Sequence, residues 1–447
     1  MTVVEAPSAP PAAPAPGGRG RRYFYGWNIV GAAAAAMFAS SALQGYGTGA
    51  FLVPMSDDLD WSRTEFLLAI TVGQFVMAVT SLYIGGVLDQ HGPRPLMLVG
   101  TAIAAIALLI IAEVTELWQW VLVRGLAVAL GTALAGGLVV NVSMSKWFVE
   151  RRGRAIGVAA MGISLSGVVI PPALTALVDG VGWRSAWQLL TIGFVALMLP
   201  AALVMRRRPE DHGWHPDGRS DDEVRAGGGD AARRDAAMSL TRREALRTRT
   251  MWMLIFAFGM SSLSLLALAI QTIPYLTDSG FERGTAAAML GLFALPGLVT
   301  RPFWGLLAER IHPRFLAAGA FLCLAGGIVI VIPGARSGSE PAVAAGYLLA
   351  GVGIAGNLPM QELLWATFFG RRYLGQVRGA SMPFNLLFSA SGPLLVSAYF
   401  DATGSYTGVL LTMAGALLLG MVVILLVQPP RRPDPAPEPA VAAEVRP

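Results

Sequence analysis

Arg301 interrupts the apolar run 285–308, eight residues before Glu309, which at 1.5 Å per helical residue puts it about 12 Å from the end of the run. Arg124 interrupts the run 118–142 in the same way. An arginine near the centre of a membrane span costs about 3 kcal/mol to insert and is kept where it pairs, reaches water or holds a ligand. A guanidinium offers a carboxylate two parallel hydrogen bonds, so the chemistry these residues suggest is binding of an anion. The alternatives are a structural salt bridge for Arg301 and, for Arg124, a side chain snorkelling outward towards Glu113 and Glu116. Glu362 lies eight residues before Gly370 in the run 342–366, level with Arg301. The two are expected to pair when the site is empty, and Glu362 is the candidate proton carrier. Gln44, Tyr46, Gln74, Gln271, Asn357 and Asn385 also fall inside apolar runs and are candidate wall residues. Each is equally well explained by an interhelical hydrogen bond worth about 0.6 kcal/mol.

The runs that would position these groups set the fold class. The chain has 447 residues, 54% of them hydrophobic and 14% charged, with a mean hydropathy of +0.58, against the roughly 25% charged residues of soluble domains. Apolar stretches of about 20 residues read as membrane-crossing helices. They do not alternate as the strands of a membrane barrel would. Twelve are expected, at 28–53, 65–88, 96–113, 118–142, 154–178 and 186–205, then 251–274, 285–308, 314–333, 342–366, 378–400 and 407–428. The fold class is thus an all-α membrane protein with two pseudo-symmetric six-helix bundles, at 25–205 and 251–428. Disordered tails are expected at 1–24 and 429–447, and a polar linker at 206–250. The N-terminal stretch has no apolar core of the kind a cleaved signal peptide needs, so the first span is expected to be the targeting signal.

Basic residues settle the expected orientation and the partners. Of the 33 lysines and arginines, 27 fall in the tails, the linker and the loops on the same side, and four (Arg63, Arg184, Arg283 and Arg336) in the opposite loops. The positive-inside rule therefore puts both termini and the linker in the cytosol of a cell-membrane protein. The same bias explains the net charge of +5 without a nucleic-acid partner. A lone cysteine, Cys323, and four histidines in loops leave no basis for a disulfide framework or an intramembrane metal site. No cofactor is expected, and no phosphate-binding loop for ATP is present. A membrane enzyme lacks its nucleophile or paired carboxylates, and a sensor lacks a folded output domain.

The chain is also doubled. Gly85, Asp89, Pro93 and Arg94 recur 220 residues later as Gly305, Glu309, Pro313 and Arg314. Phe148, Arg151, Gly153 and Gly157 recur as Phe369, Arg372, Gly375 and Gly379. Two repeats that start on the same side imply bundles related by an axis along the membrane normal, with a substrate path between them. Arg301 corresponds to Ser81 and Glu362 to Asn141, so the intramembrane charges belong to one repeat only. Prolines inside spans 5, 8, 10 and 11 favour kinks, most of them in the second repeat.

Gly85-x-x-x-Asp89-x-x-Gly92-x-Arg94 resembles the loop signature of the major facilitator superfamily, with Gly305, Glu309, Arg310 and Arg314 as its degenerate second copy. Arg124 with Gly125 and Gly131 is similar to that superfamily's fourth-helix motif. Within it, Tyr25-Gly26-Trp27, Lys146-Trp147-Phe148, Gly182-Trp183-Arg184 and Arg301-Pro302 resemble the bacterial monocarboxylate porter-like branch, which includes oxalate/formate antiporter relatives. The resemblance implies a secondary transporter, working by alternating access, in which Arg301 holds a substrate carboxylate. It implies that Asp89, Arg94, Glu309, Arg310 and Arg314 latch the cytosolic ends of the bundles. Gly297 stands where that branch often has an acid, and Arg378 stands at the mouth of span 11, so the substrate is expected only to be a small organic anion. A proton is the expected co-substrate and a monomer the expected state. Proton-driven export of drugs or apolar metabolites is the alternative on the same fold.

Overall fold

The protein is described by a computed structural model over residues 23–225, 230–237 and 239–430. The expected tails lie almost wholly outside the described residues. Among the described residues ten helices are long and apolar enough to cross a membrane, and a helix suits hydrocarbon because it pairs its own backbone groups where no water can. Four open the chain: α1 Gly26–Asp58, α2 Arg63–His91, α3 Pro93–Ile111 and α4 Leu117–Trp147. The next, Arg152–Val204, runs for 53 residues but bends at Gly182, whose φ of 78° and ψ of 160° are non-helical and suit a residue without a Cβ. Its arms are α5 (152–181) and α6 (183–204). The second half holds α7 Arg249–Asp278, α8 Gly284–Leu307, α9 Pro313–Arg336 and α10 Glu340–Phe369. Then come α11 Leu374–Thr403, more polar than its neighbours, and α12 Thr407–Leu426. With the two arms of the bent helix taken separately and α11 added, twelve long helices lie where the apolar runs predict spans.

The outer surface is apolar. Phe75, Ile106, Ile192, Phe303 and Leu426 are all exposed, which fits lipid as the solvent and would promote aggregation in water. Small residues bring helices within each half close together. Gly100 on α3 meets the Gly131 backbone on α4, and in the second repeat Gly327 on α9 meets Gly346 on α10.

Between halves, α2 packs on α11 and α5 on α8. A Cβ at Gly85 would collide with the Gly375 carbonyl, and one at Gly305 with the Gly153 carbonyl. The glycines of each repeat motif therefore abut the later glycines of the other repeat. This seam lies on the face that carries the linker.

The linker rests on that same face. Asp217 accepts hydrogen bonds from the backbone N–H groups of Val149, Glu150 and Arg151 at 3.0–3.3 Å, satisfying donors at the start of α5. The Leu240 N–H donates to the Phe369 carbonyl at the end of α10 (3.0 Å). Arg207 and Arg208 flank Asp211, and the hydrogen bond from Arg207 holds its carboxyl below the usual range. Two stretches depart from regular helix in a way that apolar periodicity does not reveal: Ala42–Tyr46 in α1 and Val121–Val128 in α4 both wind as π-helix.

Candidate substrate cavity between the halves

A cavity of about 360 Å³ lies between the halves, within the roughly 300–1,000 Å³ range of small-molecule sites. The first repeat lines it with Gln44, Gln74, Ser81, Thr132 and Asn141 among others. The second repeat contributes Ser262, Gln361, Glu362, Arg378, Asn385 and Ser389. Met77, Leu138, Leu358, Met382 and Leu386 complete the wall. Charge enters from one side only, because every charged lining residue belongs to α10 or α11.

That charge is a single ion pair. Arg378 donates through Nη2 to Glu362 Oε1 at 2.7 Å and through Nε to Glu362 Oε2 at 3.1 Å. Its Nη1 donates to Ser381 Oγ at 2.8 Å, and its guanidinium carbon lies 5.5 Å from the Trp365 ring centre. The side chains of Arg378 and Glu362 are 3% and 5% exposed. In this setting two-pronged geometry offsets the desolvation that a buried pair otherwise suffers.

Glu362 therefore does not take Arg301 as its partner, as equal depth predicts. Arg378 is only four residues into α11, about 6 Å along the axis, and its long side chain closes the remaining gap. Arg301 is absent from the cavity wall. It donates from Nη1 to the Ala160 carbonyl on α5 at 2.6 Å, and so belongs to the α5–α8 seam.

Arg124 is buried and likewise off the cavity wall. Its Nη2 donates to the Leu43 carbonyl at 2.6 Å, which lies in the π-helical turn of α1. A π turn shifts the backbone pairing from i→i+4 to i→i+5, and the guanidinium bonds a carbonyl within it. Neither Glu113 nor Glu116 is needed to keep it. Gln44, Gln74 and Asn385 do line the cavity. Asn357 is buried on α10 without lining it. Gln271 faces a separate, water-sized space inside the second half, with Thr272, Tyr275, Tyr347 and Tyr406. The side chain of Tyr46 lies outside the described residues. Asn141, Gln361 and Arg378 are cavity residues that span-by-span reading passes over; Asn141, as the repeat partner of Glu362, carried the available signal.

The loop residues sort into two groups. Asp89 accepts a hydrogen bond from Lys146 Nζ at 2.7 Å and others from the Gly375 and Gln376 N–H groups at 3.3 and 3.0 Å. It thereby places a carboxylate on the positive end of α11 in the opposite half. Glu309 pairs with Arg154 at the start of α5, at 2.7 Å. Arg94 and Arg310 are exposed, and Arg314 lies 4.7 Å over the Phe315 ring.

Comparison with known proteins agrees with this architecture. A protein described as monocarboxylate transporter 11 of Homo sapiens is 27% identical over 96% of this chain and 86% of its own length. An MFS-type transporter of Gibberella moniliformis is 28% identical over 41% of this chain, which spans under half (43%) of that relative's length. The solved structure of the proton:xylose symporter XylE bound to 6-bromo-6-deoxy-D-glucose superposes with a TM-score of 0.69 at 10% identity. It covers 91% of this chain and 96% of that one, and shows the shared fold alone. Residues 29–393 and 262–447 match the Major Facilitator Superfamily, and the chain belongs to that family of multi-pass membrane transporters, which are not enzymes.

Proposed function

We propose that this transporter moves a small organic anion, of the monocarboxylate kind, together with one proton. The observation that carries the reading is the Glu362–Arg378 pair on the cavity wall. A proton arriving at Glu362 neutralises its carboxylate and releases the guanidinium of Arg378. A substrate carboxylate then takes the vacated two-pronged position. The buried charge is zero before and after: Glu⁻ with Arg⁺ when empty, and neutral Glu with Arg⁺ and a bound carboxylate when loaded. Both forms can cross between orientations without stranding a charge in low dielectric.

The closed linker face fits a state open to the opposite side, the proposed exterior, with the linker and both termini cytosolic in the cell membrane of a monomeric carrier. The full-length relative described as a monocarboxylate transporter supports the substrate class.

Proteoliposome uptake of labelled monocarboxylates under an imposed pH gradient tests this. Accumulation should follow the gradient, ignore a membrane potential, and vanish in Arg378→Ala. Glu362→Gln should still exchange acid for acid while losing accumulation driven by the gradient. Intact uptake by Arg378→Ala, or expulsion of a lipophilic cationic dye in place of acid uptake, would sink the anion reading and favour drug-type efflux.

A further inference from the structure

Five carboxamides line the cavity: Gln44, Gln74 and Asn141 from the first half, Gln361 and Asn385 from the second. None of the five side chains makes a hydrogen bond to another described residue. The buried amide oxygens of Asn141 and Asn385 have no hydrogen-bond partner among the described residues. Three of the four hydroxyls on the same wall, all but that of Ser262, behave differently. Ser81 Oγ donates to the Ala78 and Gly379 carbonyls, Thr132 to Val128 and Ser389 to Leu386. These hydroxyls are occupied by backbone, whereas the amides are left free to read a ligand.

An amide presents both donors and an acceptor, so it pairs with a hydroxyl whichever way its oxygen and nitrogen are assigned. A short unsubstituted acid sealed in this cavity would leave up to five such groups unpaired. A chain bearing a hydroxyl on each carbon would satisfy them in place of water. We infer that the substrate is a polyhydroxylated carboxylate, its acid group at Arg378 and its hydroxyl-bearing chain along the amides of both halves. The inference rests on the proposed function for the acid group and adds the rest of the molecule. Discrimination of this kind is strong, because a site built to hydrogen-bond hydroxyls rejects an analogue that lacks them.

The test uses the purified full-length protein and three sets of probes: aldonates of three to six carbons including gluconate, unsubstituted acids of equal length including hexanoate, and the neutral polyol sorbitol. Ligand-induced thermal stabilisation and proteoliposome uptake are both read. At least one aldonate should bind and be taken up at a concentration at least about tenfold below its unsubstituted counterpart. Asn141→Leu should raise the half-saturating aldonate concentration about tenfold more than that for the unsubstituted acid. Asn385→Leu on the opposite wall gives the same readout if the first variant fails to fold.

Equal binding of hexanoate and aldonates would overturn the hydroxyl inference and leave the carboxylate reading standing. Equal binding of sorbitol and gluconate would overturn the carboxylate reading and keep recognition of hydroxyls. Failure of every aldonate overturns the inference outright.

Discussion

Asp89 and Glu309 occupy equivalent places in the two repeats, yet they close the linker face by different means. Asp89 is buried with Lys146, the two side chains 3% and 5% exposed, and it also holds two backbone donors of α11. Glu309 meets the side chain of Arg154, with 18% and 41% of the two side chains open to solvent. Thr367 stands 221 residues after Lys146, so the second copy has no buried cation. A buried charge loses far more than an exposed one when its partner is removed. As proposed latches the two should therefore contribute unequally although their motifs match.

The largest expected effect is that of Asp89→Asn, which strands the Lys146 cation and should weaken the closed state by about 3 kcal/mol. On a Cys323→Ser background, a cysteine replacing Gln376 should then react roughly a hundredfold faster with a membrane-impermeant thiol reagent. Adding Lys146→Met should restore most of the protection, since an apolar replacement of a buried pair is tolerated. No change in rate on Asp89→Asn would remove Asp89 from the latch.

Next come Gly85→Ala and Gly305→Ala. Each sets a methyl against a carbonyl of the other half, and each should open the face by about 1–3 kcal/mol. The two should match, because the glycine contacts are symmetric where the acids are not. A clear difference between them would confine the asymmetry to something other than the acidic residues. Smallest is Glu309→Gln, at under about 1 kcal/mol and less than fivefold in labelling rate. An effect as large as that of Asp89→Asn would break the comparison.

How much of this is legible beforehand depends on what each residue answers to. Membrane spans are legible because hydrocarbon imposes one requirement on about 20 consecutive residues, and the doubling follows from motifs such as Gly85 and Gly305. Side-chain partners answer to neighbouring helices instead. Depth counted along α10 and α8 separately puts Glu362 level with Arg301, but the start of antiparallel α11 brings Arg378 closer. Arg124 is conspicuous by its charge, yet its use depends on a π turn in α1 that no spacing of apolar residues announces. Gln44, Gln74 and Asn385 are legible as polar residues in apolar runs, whereas Asn141 and Gln361 become wall residues only once the bundles are set against each other.

The glycine seam between the halves has a consequence for the kinetics of the carrier. Where Gly85 meets Gly375 and Gly153 meets Gly305, main chain lies against main chain. No long side chain must be immobilised as the surfaces meet, so closure there loses little rotamer entropy. Nor does the contact depend on net charge, so screening by salt leaves it almost untouched. The proposed acidic latches would then act as a bias on an underlying surface fit expected to open and shut quickly and to work alike in dilute and in salty surroundings.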